Sequence, residues 1–313
     1  MSLWPLARKF ARAALTLFLV GSFVFIVLRV TGDPVRAMMP EDTDPAIIAA
    51  MRAEWGLDRP LWEQFVNYWV NVAHGDFGRS LRDGRPAVTV VFERLPDTLK
   101  LTLTSFAFVL LVGIPLGIFA ALRRGSIWDR GVMTLSVIGF SLPNFFLAIL
   151  LILVFSVQFG LLPSAGSDTP AHLIMPVLTL GTAGAAVVAR FIRSSMLEVL
   201  SAPYIRAARA RGIGWGRLVW TIALPNAAIP TVTVIGFMVG ALIGGSIVTE
   251  TVFAWPGVGR LLINAVAARE LAIVQMVVMM IAASMVLANL AVDIAYYFLD
   301  PRQRFASGSG EKA

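Results

Sequence analysis

SAPYIRAARARGIGWGRLVWTIALP, residues Ser201 to Pro225, is the one long arginine-rich interruption in this chain that still reads as folded. Apolar runs long enough to cross a bilayer flank it on both sides. Pro203 suits a first helical turn, where its fixed φ and missing N–H are harmless. Tyr204, Ala207, Ala208 and Arg211 recur at helical spacing, with two small residues at the centre of that face. Gly212 supplies a stop, and Pro225 opens the next helix. The expectation is a short helix at the membrane surface, with an alanine face bare enough for another protein to pack against. The competing reading is a helix seated on this chain's own span ends.

Composition sets the context for that helix. The chain has 313 residues, and at 58% hydrophobic and 14% charged it is too apolar for a soluble domain. Crossing about 30 Å of hydrocarbon takes about 20 apolar residues in a helix. The net charge of +7 comes from arginines that flank apolar segments, which fits a lipid bilayer rather than nucleic acid. No cysteine is present, which excludes disulfides, thiolate metal sites and cysteine nucleophiles. His74 and His172 stand far apart in sequence, so no histidine metal cluster is expected.

Six spans are expected, over about 13–28, 99–122, 131–159, 173–191, 226–248 and 272–298. Arg8, Lys9 and Arg12 precede the first, which ends at Arg29 without a small-residue cleavage site and so reads as uncleaved. Arg123, Arg124 and Arg130 fill one short loop, whereas the loop from Gly160 to His172 holds Asp168 and no basic residue. The positive-inside bias then places the arginine loops, residues 201–225 and both termini in the cytoplasm. Pro143 should kink the third span. Gly236, Gly240 and Gly244, and likewise Gly113 and Gly117, fall at the four-residue spacing that lets helices approach closely in lipid.

The resulting division is a tail and first span over 1–30, an extracytoplasmic segment over 31–98, a five-helix core over 99–305 and a disordered tail over 306–313. Within the second part Leu61, Phe65, Tyr68, Trp69 and Val72 share a helical face, either a cap on the bundle or a membrane-embedded surface. Asp33, Asp76 and Arg79 read as turn and cap residues. The segment Thr249 to Leu271 is too polar to span and too apolar for a free loop.

A pump needs an energy source. A phosphate-cradling loop needs glycines followed by Lys and Ser or Thr, and none of Lys9, Lys100 or Lys312 has that context. A secondary transporter usually carries ionisable pairs in mid-membrane. Here Glu250 lies at an outer end and Asp293 near the inner end of the last span, where a structural ion pair is the expected role. No catalytic or metal site is expected, and no cofactor bound by this chain.

The motifs also carry a family resemblance. Ala207-Ala208, then Gly212, then Ile222-Ala223-Leu224-Pro225 resemble the loop signature of ABC-transporter permeases. Arg206 stands where an acidic residue often opens that signature, and an R-x-A opening resembles the oligopeptide/dipeptide/nickel variant. Gly32-Asp33-Pro34, Gly56 to Phe65, His74 to Leu81, Thr249 to Leu262 and the run AVDIAYYFLDPR are similar to the same family. The resemblance implies an all-α membrane protein with the six-helix fold of a type I ABC importer permease. It implies a coupling helix whose contacts to a separate ATPase are Tyr204, Arg206, Ala207, Ala208, Arg209, Arg211 and Gly212. ATP and Mg would sit on two partner ATP-binding subunits. A second homologous permease chain and an extracytoplasmic solute-binding protein would complete an importer for short peptides, working by alternating access. Nickel chelates, oligosaccharides or opines are the substrate alternatives, and a stand-alone secondary transporter is the alternative of another class.

Overall fold

A computed structural model describes residues 4–30, 32, 35–36, 39 and 42–299. Asp33, Pro34, the side chain of Asp293 and the tail 306–313 lie outside the described part. Among the described residues the structure is helical, apart from an isolated antiparallel bridge between Arg79 and Pro86.

Helix α1 spans Trp4–Val30. Two helices follow, α2 (Pro45–Glu54), capped by Asp44 accepting from the Ala46 N–H at 2.8 Å, and α3 (Leu61–Ala73). The aromatic face of α3 packs along α1. Tyr68 stacks 5.5 Å from Phe25, and Trp69 lies 4.9 Å from Phe18, halfway down the first span. That face is therefore covered by the first helix.

Helix α4 (Ala87–Leu122) begins well before the expected Leu99. Glu93, Arg94, Asp97 and Lys100 disguise its first turns in the sequence, yet Ala87 and Val91 are fully buried. The third expected span is two helices rather than one kinked helix. Helix α5 (Ile127–Ser141) meets α6 (Asn144–Leu151), extended by a π turn over Ile152–Gln158, at a bend of 102°. Proline drives the residue before it out of the α region. Leu142 is extended at ψ 123° and Pro143 follows at ψ 137°, so two successive extended residues break the helix.

Helix α7 (Ala171–Ser201) runs past Arg190 and Arg193, because Ile192 and Met196 carry its buried face onward. Gly113 and Gly117 of α4 lie against it: a Cβ on Gly117 would come within 2.6 Å of the Ala189 carbonyl oxygen. This is the close approach that the glycine spacing predicts. After α8 (Pro203–Ala210) comes α9 (Trp215–Leu218), joined by a π turn over Val219–Ala223 to α10 (Leu224–Gly240). Pro225 stands in the first turn of α10, as expected, and the π turn joins that helix to α9 without a loop. The π turn just ahead of it accommodates a ring that would strike a regular α-helical carbonyl.

The chain ends in α11 (Leu242–Gly245), α12 (Ile247–Val252), α13 (Val258–Ala267) and α14 (Leu271–Leu299). Gly240 and Gly244 face Ala288 and Ile281 of α14. Among the described residues four helices are long and apolar enough to cross a membrane, or up to six when each bent pair counts as one span.

Candidate coupling surface and the polar hubs

Helix α8 exists because its ends are set locally. Ala202 is extended at ψ 148°, which terminates α7, and Pro203 starts the next turn. Gly212 adopts φ +78° just after Arg211, a conformation other residues resist. Ile205 and Ala208 point inward, 1% and 8% exposed, into a cluster with Ile192, Met196 and Leu218. Tyr204, Arg206, Ala207, Arg209, Arg211 and Gly212 are exposed. The Arg209 guanidinium lies 4.1 Å from the centre of the Trp215 ring, which ties α8 to α9.

The alanine pair is thus divided. Ala207 faces out and Ala208 packs on the chain's own helices. Neighbouring helical residues are separated by about 100°, so an adjacent pair rarely shares one role. Ile205, an aliphatic residue in a polar stretch, was the sequence signal for the inner face.

Behind α8 the start of α5 is locked to α7. Asp129 is 3% exposed and accepts from Arg193 Nε and Nη2 at 2.6 and 2.8 Å, and from the Gly125 N–H at 2.9 Å. Neither Arg193 nor Asp129 is assigned a partner by the sequence reading. Ser126 caps α5 through the Asp129 N–H, and Ser-x-x-acid is a helix-start signature that identifies both residues.

At the opposite end a second hub surrounds Glu250, which is fully buried. Thr98 and Ser246 donate hydroxyls to Oε1, both at 2.8 Å. The N–H groups of Gly259 and Arg260 donate to Oε2 at 2.7 and 3.1 Å. Thr98 also accepts from the Val258 N–H, and Trp255 donates to the Asp97 carbonyl. Side chains at Gly257 or Gly259 would collide with the carboxylate, so the glycines permit the approach. This explains why Thr249 to Leu271 is neither span nor free loop: it folds onto the start of α4. Sequence reasoning placed Glu250 at an outer end without a role; the signal was an acid in an apolar run followed by Pro-Gly-Val-Gly.

Glu270 is a third buried carboxylate, 3% exposed, accepting from the Ser80 hydroxyl and the Leu81 N–H at 3.2 and 2.7 Å. It pins the turn 76–86 to the head of α14. Asp76 accepts from the Gly78 N–H and Arg79 donates to the Gly84 carbonyl, both turn contacts. In the same turn the N–H of Arg85, then the Ser80 hydroxyl, hold the Asp83 carboxyl below its ordinary value.

Residues 113–305 match the family described as binding-protein-dependent transport system inner membrane component, and residues 3–102 match its N-terminal companion. The chain belongs to that family of ABC importer permeases. It is 43% identical over 291 residues to the glutathione transport system permease protein GsiC of Escherichia coli (strain K12), covering 93% of this chain and 95% of GsiC. The protein of the same name from Shigella flexneri serotype 5b (strain 8401) gives the same figures. A chain of the MetNI methionine ABC transporter, solved in inward facing conformations, aligns with a TM-score of 0.55 at 23% identity, over 68% of this chain and 97% of that one. At that identity the alignment shows a shared fold. As a permease this chain is a multi-pass inner-membrane subunit and not an enzyme; ATP hydrolysis belongs to separate subunits.

Proposed function

We propose that this permease forms half of a pore for short peptides and is driven through α8 by a separate ATPase. The observation that carries the coupling role is the seating of α8. Ile205 and Ala208 hold it to the ends of α4 and α7, while Tyr204, Arg206, Ala207, Arg209 and Arg211 remain outside. A helix held on one face and open on the other can take a push and pass it to the bundle as a rigid body. The arginine-rich end faces the cytoplasm, as the loop charges require. Two permease chains, two ATP-binding subunits and an extracytoplasmic solute-binding protein make up the importer. ATP and Mg bind the ATPases, and closure of the ATPases moves the α8 helices together and opens the pore outward. GsiC, named for glutathione transport, supports a peptide-like solute, since glutathione is itself a tripeptide.

Ala207→Arg is the direct test. In proteoliposomes holding the assembled importer, it should leave ATP hydrolysis and membrane insertion intact while abolishing ATP-driven uptake. Undiminished uptake in that variant counts against docking at this face. Ala208→Arg does not discriminate, because Ala208 is buried in its own chain and a charge there damages packing first. ATP-independent accumulation by the permease alone would overturn the whole reading.

A further inference from the structure

Arg190 stands inside a helix, away from its ends, and its charge is turned further inward. Asp129 of α5 pairs with Arg193 of α7, and Gly139 of α5 lies against Thr182, so the two helices run antiparallel. The Arg190 guanidinium rests 5.0 Å from the centre of the Phe140 ring. From Arg130, at the charged start of α5, to Phe140 the helix rises about 15 Å. That is half of a hydrocarbon core of about 30 Å. Basic side chains near a span end normally snorkel toward water, whereas this one points deeper into the span.

No carboxylate among the described residues meets it. Asp129, the acid of α5, is taken by Arg193. Helix α10 carries no acid, and Glu198, the acid of α7, stands two turns nearer the membrane boundary. The Arg190 Nε is enclosed without a hydrogen-bond partner, while Nη1 and Nη2, equally unpartnered among the described residues, reach the surface. The face they reach is the open side of α7. Helix α4 covers α7 at Ala185, Val188, Ala189 and Ile192, α10 reaches it at Gly184 through Met238, and α5 covers Thr182 and Arg193. Between α5 and α10 the stripe of Ala183, Val187, Arg190 and Ser194 is left uncovered, and none of the four is buried. Lipid chains cannot solvate a guanidinium, and phosphate headgroups lie about 15 Å away at the boundary. A cation at this depth marks a path for a charged solute.

We infer that Arg190 lines the translocation path and that its terminal nitrogens hold the carboxylate of the passing solute in mid-membrane. The inference rests on the half-pore, short-peptide reading and adds the group recognised, since a peptide with a free C-terminus carries a carboxylate. A guanidinium offers that group two parallel donors. Stacking on Phe140 keeps the guanidinium in place when the path is empty, and a cation–π contact is weak enough to leave the charge available.

The chain has no cysteine, so one introduced thiol reports its own site. Ser194→Cys, one turn from Arg190 on the open stripe, is made in the assembled importer in membranes. It is treated with two water-soluble methanethiosulfonates, the anionic sulfonatoethyl and the cationic trimethylammonioethyl reagent. The anionic one should react about tenfold faster, as a local positive field dictates. Adding Arg190→Gln should remove the preference and Arg190→Lys should keep it. Arg190→Gln deletes a cation without a counter-charge, and continued reaction with the cationic reagent verifies that the fold is intact. No reaction with either reagent means that lipid or a partner chain covers the stripe and overturns the site. So does the lack of a preference, or one that survives Arg190→Gln. ATP-driven uptake of trialanine, delivered by the solute-binding protein, is measured in parallel. Arg190→Gln should lower it about tenfold, as expected for losing a hydrogen bond to a charged group, while ATP hydrolysis continues, and Arg190→Lys should restore most of it. Undiminished uptake in Arg190→Gln overturns the role in transport. Failure of the unsubstituted importer to accumulate any short peptide, with the Arg190-dependent preference intact, refutes the peptide reading and keeps the anion site. Normal trialanine uptake without the preference refutes the site and keeps the peptide reading.

Discussion

The two ends of this permease hold their buried carboxylates differently. At the α8 end, Ile118, Ile192, Met196, Ile205 and Leu218 meet in an apolar cluster, and the ion pair of Asp129 with a partly exposed Arg193 stands beside it. The α13 end has its own apolar cluster, including Val91, Val258 and Ala265, but there the carboxylates of Glu250 and Glu270 are also buried and receive hydrogen bonds from hydroxyls and backbone N–H groups. Apolar contacts are non-directional and tolerate small rigid-body shifts. Hydrogen bonds are directional and lose strength steeply when bent. The α8 end is therefore suited to being pushed, and the Glu250 end to holding its shape while the other moves.

The sharpest way to break that contrast is Glu250→Ala. Thr98 and the N–H groups of Gly259 and Arg260 lose their acceptor in a fully buried site, while Ser246 can turn to the Ile243 carbonyl, and each unsatisfied group costs about 1–3 kcal/mol. With partial relaxation the expected loss is about 3–5 kcal/mol, read as a drop in thermal unfolding temperature in detergent. Glu250→Gln keeps the shape but turns an amide N–H toward donors, so its loss should be smaller yet clear. Equal stability of both variants and the unsubstituted chain would remove the structural role assigned here to the carboxylate.

Gly117→Val comes next. The added Cβ meets the Ala189 carbonyl oxygen and lies 2.8 Å from Ile192 Cβ, both on a rigid helix that cannot yield cheaply. Overpacking of this kind costs about 1–3 kcal/mol. Gly125→Ala is the control: nothing lies within 4 Å there, and its penalty is confined to φ +79°.

What the sequence could reveal divides along the same line. Apolar runs, charge asymmetry and glycine spacing expose the spans and the α4–α7 contact, because those signals are local or periodic. Helix α8 was legible because Pro203 and Gly212 punctuate it. The Glu250 hub was hidden because Thr98, 152 positions away, supplies one of its partners. The break at Pro143 was read as a kink because the pattern shows the proline but not the extended Leu142 that doubles its effect. The inward turn of Ala208 was missed because one partner, Ile192, lies on another helix and the other, Leu218, is brought back only by the turn at Gly212.

Asp129→Asn should cost about 1–2 kcal/mol, less than Glu250→Ala, because Arg193 retains 26% side-chain exposure and can turn to water. Its second readout is coupling. The pair ties the loop ahead of α5 to α7, next to α8, so loosening it should lower uptake per ATP hydrolysed more than Gly117→Val does at equal stability loss. If uptake per ATP follows stability alone in both variants, the α8 end has no special part in transmission.

The smallest effect belongs to Arg209 and Trp215. A guanidinium 4.1 Å from an indole centre at a surface site contributes about 0.5–1 kcal/mol. Arg209→Ala and Trp215→Leu, combined in a double-mutant cycle, should return that interaction energy and no more. The pair fixes α8 relative to α9, so its loss leaves α8 attached through Ile205 and Ala208 but less firmly oriented. Uptake should then persist with a reduced yield per ATP, in contrast to the complete block expected from Ala207→Arg. A full block from Arg209→Ala would mean that Arg209 contacts the ATPase directly and that Trp215 only parks it in the free permease.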